Sequence, residues 1–294
     1  MATIVPEGRN KIQADSQSYP EFVYLAVMKN RYLAVALLFL GLLFAGCESA
    51  DDRRLKELKT LVSEAGLSGE AAASALSRID GAPERFLFLM DAILMEMDAD
   101  PYLLKRVDKS MALPADYEPQ DLVVLDGSGL SLSRPGHRLR KPVLDALMRM
   151  SEAAASEGLT LLVSSTYRSY EYQKNLYARN VAEMGVLEAS RVSAAPGTSQ
   201  HQLGTAIDFG SITDAFAETQ AGRWLELNAG RFGFSLSFPK GMEALTGYVW
   251  ESWHYRYIGE TAVNLQNEFF AGVQHNLMLF LDRLSRWKAD QPER

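Results

Sequence analysis

Ser199-Gln200-His201-Gln202-Leu203-Gly204-Thr205-Ala206-Ile207-Asp208 is the stretch on which the reading of this chain turns. Its second half alternates as a strand does, so Ile207 and Phe209 share one face while Ala206 and Asp208 share the other. Gly204 permits a tight turn just before it, because a residue without a Cβ takes up positive φ without steric cost. The pattern predicts a loop carrying His201, then a strand carrying Asp208, with small Ala206 leaving room beside the carboxylate. A second segment, Glu251-Ser252-Trp253-His254, adds another imidazole and another carboxylate. Histidine is scarce here: the four are His137, His201, His254 and His275.

Hydrolytic zinc sites take three protein ligands and keep a fourth position open for water. His201, Asp208 and His254 meet that count and leave Glu251 over, a carboxylate free to accept a proton from water and pass it to a leaving amine. The single cysteine, Cys47, rules out an intrachain disulfide and any zinc site built on several cysteines. On spacing alone a blander reading stays open, since most Glu-x-x-His pairs are surface charges or internally satisfied histidines. His137 and His275 lie outside any motif and are assigned to that blander class.

Residues 248–258 are rich in aromatic and β-branched side chains and suit a strand. An unbroken strand would send Glu251 and His254 to opposite faces, although both must reach one water molecule if they act together. A turn or bulge between Trp250 and Trp253 is therefore expected, with the strand starting near His254.

Working outward, the chain has 294 residues and a formal net charge of −7, which offers no electrostatic footprint for nucleic acid. Residues 32–46, YLAVALLFLGLLFAG, carry no charge. As a helix they would span about 22 Å, short of the ~30 Å hydrocarbon core, and so read as an export signal rather than a permanent span. Lys29 and Arg31 precede the run as the positive-inside bias requires, and Met28 is a second possible start. Residues 51–111 read as helical, with Leu55, Leu58, Leu61 and Val62 in one stripe closed by Gly66, a new start at Ser68 and Pro83 in a first helical turn. Pro114 and Pro119 mark a boundary. Beyond it, 122–125 and 159–164 read as strands, 141–158 as a helix, 171–184 as a helix stopped at Gly185, and 265–287 as one amphipathic closing helix.

The two motifs together, Ser-x-His-x-x-Gly-x-Ala-x-Asp and then Glu-x-Trp-His, resemble the VanY-type D-alanyl-D-alanine carboxypeptidases, relatives of the VanX-type dipeptidases and of Hedgehog domains. Further matches are Ser165-Thr166-Tyr167-Arg168-Ser169 with Gln173, Ala195-Pro196-Gly197, Trp224-Leu225 with Asn228-Ala229, Phe232-Gly233-Phe234 and Thr246-Gly247-Tyr248, so the likeness covers residues 117–259. A local departure is Thr166 where Gly is common.

The resemblance implies an α+β fold with a small antiparallel sheet surrounded by helices. It implies zinc on His201, Asp208 and His254, with Glu251 as general base and Arg168 stabilising the oxyanion. It also implies Gln173 and Ser199 holding the substrate's terminal carboxylate or peptide, and Trp253 either walling the pocket or filling the core. Leu43-Phe44-Ala45-Gly46-Cys47 resembles a lipobox, which implies lipidation of Cys47 and an exported protein anchored by lipid in a membrane, facing periplasm or wall. The expected organisation is a leader (1–47), a helical segment (48–115), the peptidase domain (116–262) and a C-terminal helix (263–294). The expected substrate is a peptidoglycan stem peptide losing its terminal D-alanine. L,D-carboxypeptidase action on tetrapeptide stems is the rival reaction, and a non-catalytic wall-binding lipoprotein is the rival class.

Overall fold

The computed structural model describes residues 49–291. The expectations that fall on residues 32–46 and on Cys47 lie outside the described residues. No helix among the described residues is long and apolar enough to cross a membrane.

Three helices come first: α1 (Ala50–Glu64), α2 (Gly69–Gly81) and α3 (Pro83–Ala99). Ser68 caps α2 by accepting from the Ala71 N–H, and Pro83 occupies the first turn of α3, where its missing N–H costs nothing. Next come β1 (Leu122–Val124), β2 (Ser131–Leu132), β3 (Arg138–Arg140), α4 (Lys141–Ser156), β4 (Leu162–Ser165) and α5 (Tyr170–Val192). The chain continues through β5 (Ala206–Phe209), α6 (Gln220–Asn228), β6 (Phe234–Leu236), the single turn α7 (Glu243–Thr246) and β7 (His254–Tyr257). It closes with α8 (Glu260–Phe269) and α9 (Gln274–Ala289).

The main sheet runs β2-β4-β5-β7-β6, and β1 pairs with β3 beside it. All pairings are antiparallel except β2 with β4, a short parallel edge. The α+β arrangement of a small, mainly antiparallel sheet among helices is as expected. Val143, Ala146, Leu147, Met150 and Ala154 recur at helical spacing along α4, and this stripe packs on the sheet face that carries Val163, Ile207 and Phe209.

A second core lies apart from the sheet. Leu58, Ile79, Phe86, Met90 and Ile93 of α1–α3 interdigitate with Leu265, Phe269, Leu277, Phe280 and Leu281 of α8 and α9. Phe86 sits edge-on to Phe269 with centroids 5.1 Å apart. The segments on either side of the sheet region thus complete each other's apolar face. Fully buried Arg256 of β7 ties the connecting segment down, its Nη2 donating to the carbonyls of Leu103 (2.9 Å) and Lys105 (2.8 Å).

Three expectations about helix ends need correction. The helical reading of 51–111 fails after Ala99, because Pro101 cannot continue the helix and the Asp100 carboxylate accepts from the Tyr102 and Leu103 N–H groups instead. Gly185 does leave the helical region (φ 80°), but the chain resumes helix at once and α5 continues to Val192. The closing stretch is two helices, because Ala271 (φ 55°) and Gly272 (φ 72°) turn the chain between Phe269 and Gln274. The expected boundary at 262/263 falls inside α8.

Candidate metal centre

The register of β5 against β7 sets Asp208 directly opposite His254, and opposed residues in an antiparallel pair share a face. His201 comes from the 3₁₀ turn Gln200–Leu203 just before β5, closed by Gly204 in the left-handed region (φ 68°). A Cβ at position 204 would lie 2.9 Å from side-chain carbons of both Arg140 and Leu122, so close packing as well as the turn requires glycine. The turn Glu251-Ser252-Trp253 precedes β7, which begins at His254 as the face requirement predicted. It swings Glu251 onto the side of His254, with Oε2 3.5 Å from Nδ1.

Donor atoms of His201, Asp208 and His254 all lie within 4.8 Å of one another, and all three residues are buried. His254 Nδ1 is 3.0 Å from Asp208 Oδ1, and His201 Nε2 is 3.3 Å from Asp208 Oδ2. Short as these distances are, His201 Nε2 and Asp208 Oδ1 have no aligned hydrogen-bond partner. Buried polar atoms left in this way are costly unless something satisfies them. Two imidazoles and one carboxylate form a donor set that fits zinc.

The electrostatics agree. Burial and the neighbouring Arg168 push His201 down to about 4, so it is neutral and able to donate its lone pair at neutral pH. Burial alone would raise Asp208, but His201 and the Arg168 guanidinium hold it well below the usual carboxylate range. Burial raises Glu251 to about 7 against the opposing pull of His254, close to where a general base works best. A cation in the site would draw it down again.

The remaining expected residues gather around one cavity of about 330 Å³, lined among others by Arg168, Gln173, Ser199, Tyr248, Glu251 and Trp253. Arg168 is held tightly, with Nη2 donating to Asp208 Oδ2 at 2.6 Å and Nε to Ser165 Oγ at 2.9 Å. Ser199 Oγ accepts from the His201 N–H at 3.3 Å, so it shapes the ligand loop as well as the wall. Gln173 Nε2 donates to the Ala194 carbonyl at 2.7 Å, and its buried Oε1 has no partner. The atom left over is an acceptor, which suits a peptide N–H. Trp253 takes both anticipated roles, packed in the sheet core and present in the cavity wall.

His137 and His275 stay outside the centre. The ring nitrogens of His137 are both within hydrogen-bond distance of hydroxyls, Ser133 Oγ (3.2 Å) and Thr166 Oγ1 (3.1 Å). Two further groups at the site receive no role from the sequence. Tyr248, pushed up to about 12 by burial, keeps its proton in the cavity wall, and Gln200 Oε1 lies 3.2 Å from His254 Nε2. Nothing in the spacing of Gln200 foretells a contact 54 positions along the chain.

Known proteins match this arrangement. A model of the VanY D-alanyl-D-alanine carboxypeptidase family matches residues 136–260. YodJ of Bacillus subtilis, whose name places it among the carboxypeptidases, is 33% identical over 246 residues, covering 79% of this chain and 90% of YodJ. Among solved structures, the LdcB LD-carboxypeptidase superposes with a TM-score of 0.54 at 35% identity, covering 62% of this chain and 86% of LdcB. A vancomycin-resistance D,D-pentapeptidase, VanY from a VanB-type cassette, was solved as a variant in complex with Zn(II). It superposes with a TM-score of 0.51 at 30% identity, covering 60% of this chain and 99% of that one. With its motifs, its three-donor centre and these relatives in agreement, the chain belongs to the VanY family of D-alanyl-D-alanine carboxypeptidases.

Proposed function

We propose that the protein removes the C-terminal D-alanine from peptidoglycan stem peptides, with zinc held by His201, Asp208 and His254. The observation that carries this reading is the cluster of buried donor atoms of His201, Asp208 and His254, all within 4.8 Å of one another, of which His201 Nε2 and Asp208 Oδ1 have no aligned hydrogen-bond partner. When bound there, zinc supplies Lewis acidity, acidifying a water molecule and polarising a carbonyl.

The protein's own groups account for the proton and charge movements. Glu251, 3.5 Å from His254, accepts the proton of the attacking water and returns it to the amine of the departing D-alanine. Arg168 holds Asp208 ionised and sets a fixed positive charge where negative charge develops on the scissile carbonyl oxygen. Gln173 Oε1 accepts a peptide N–H of the stem, and Ser199 adds a hydroxyl to the cavity wall.

The likeness to LdcB favours a second reading, in which the bond cut follows an L-configured or meso residue of a tetrapeptide stem. Incubating the protein with defined penta- and tetrapeptide stems and weighing the product by mass spectrometry separates the two. Release of one D-alanine from the pentapeptide supports the first reading, release only from the tetrapeptide supports the second, and no release from either refutes both.

We further infer an exported protein held to a membrane by lipid on Cys47, supported by the uncharged run 32–46 and the two basic residues before it. Metabolic labelling with a fatty-acid analogue tests this. Label that survives Cys47→Ala refutes lipidation at that residue.

A further inference from the structure

A histidine ligates through a bare ring nitrogen, so its proton must sit on the other one, and whatever accepts that proton decides the tautomer. For His201 the acceptor is backbone: Nδ1 lies 2.8 Å from the Thr166 carbonyl oxygen, which can only accept. Nε2 is thereby left bare toward Asp208. For His254 the ring is reversed, Nδ1 facing Asp208 and Nε2 facing Gln200 Oε1. A glutamine amide can present either an acceptor or a donor, so this contact alone does not choose a tautomer.

The choice is made farther back. Gln274, buried at the first position of α9, donates its Nε2 to the Ser235 carbonyl at 3.1 Å. That backbone oxygen accepts only, so Gln274 must turn its Oε1 the other way, toward Ser237 and Gln200. Gln200 Nε2 lies 3.5 Å from Gln274 Oε1, and Gln200 Oε1 is consequently the atom presented to His254. Ser237 Oγ, 2.7 Å from Gln200 Oε1 and 3.1 Å from Gln274 Oε1, has one proton and can give it to either oxygen. Both oxygens of the relay are therefore acceptors, and the only role left for His254 Nε2 is donor.

We propose that Gln200 is a positioning residue which fixes the Nε2–H tautomer of His254, and that Gln274 and Ser237 orient Gln200, so that α9 helps set the affinity of the metal centre. The proposal rests on the zinc reading above. It adds that a side chain beyond the matched segment 136–260 acts on a ligand within it.

The test uses the full chain. After zinc is stripped with a chelator, ¹⁵N-histidine NMR of the wild-type protein should show His254 protonated on Nε2 and bare on Nδ1. Gln200→Leu should give a mixture of tautomers and bind zinc about 10–100-fold more weakly in competition with a chromogenic chelator. Gln200→Glu keeps an acceptor and should restore both the tautomer and the affinity. Gln274→Leu should shift both readouts the same way by a smaller factor. Wild-type protein that binds no zinc refutes the metal reading, while the tautomer measurement still judges the relay. An Nδ1–H tautomer in the wild type, or a folded Gln200→Leu with unchanged tautomer and zinc affinity, overturns the proposal.

Discussion

The two cores of this protein are built on opposite terms. Around Phe86 the packing is made by apolar side chains of five helices, and its stability comes from that packing. Around Asp208 two rings, two carboxylates and a guanidinium are crowded beside one cavity with donor atoms unmatched. The first region is held by packing, whereas the second keeps buried donor atoms that a ligand would satisfy. Stability and chemistry have been placed in different cores, so each can be perturbed with little effect on the other.

The largest separation should come from Glu251→Gln, which leaves the three metal donors in place. Hydrolysis of stem peptides is expected to fall by about 10²–10⁴-fold while zinc content stays near one per chain by atomic emission. His254→Ala should lose zinc and activity together, and wild-type turnover by Glu251→Gln would remove that residue from the mechanism. In the other core, Phe86→Ala should cost about 3–5 kcal/mol in chemical denaturation, since the ring is fully buried against Phe269 and Phe280. The zinc affinity of the variant that remains folded should not change. A matching loss of zinc would show that the cores are coupled.

Metal removal gives a prediction with a definite sign. In the zinc-free protein Glu251 is raised from 4.5 to about 7 by burial, so the folded state holds a proton that the unfolded chain has already released. That contribution is full below about pH 4.5 and is lost as pH rises through about 7. His201, lowered to about 4, works in the opposite direction between about pH 4 and 6.5, so the informative comparison is between wild type and variant. Zinc-free Glu251→Gln should exceed zinc-free wild type in stability by up to about 3 kcal/mol at pH 8, with the gap narrowing to under about 1 kcal/mol at pH 5. An equal gap at both pH values would show that burial does not raise this carboxyl. The smallest effect belongs to Ser68→Ala, which deletes the cap of α2 and should cost about 1 kcal/mol without touching activity.

How much of this was legible depends on how far apart the interacting residues lie. His201, Gly204 and Asp208 fall within eight positions, and the alternation of a strand is enough to set their faces. The turn at Glu251-Ser252-Trp253 could be foreseen because a regular strand would have pointed Glu251 away from His254. Local pattern could not show that Ala271 adopts positive φ, since alanine carries no signal for it and the apolar stripe runs on across the break. Nor could it reveal the contact of Gln200 with Gln274, two amides 74 positions apart. The shared core of α1–α3 with α8 and α9 was equally hidden: each helix shows an apolar stripe but not which partner covers it.

That shared core also imposes an order in time. Leu58, Phe86 and Ile93 are synthesised early, yet Phe269, Phe280 and Leu281 that cover them come off the ribosome roughly two hundred residues later. Until then the first helices hold sticky surface with nowhere to put it, and closing so long a loop is slow. A nascent chain of this protein therefore carries that apolar surface uncovered through most of its synthesis, and the last two helices are the clasp that closes over it.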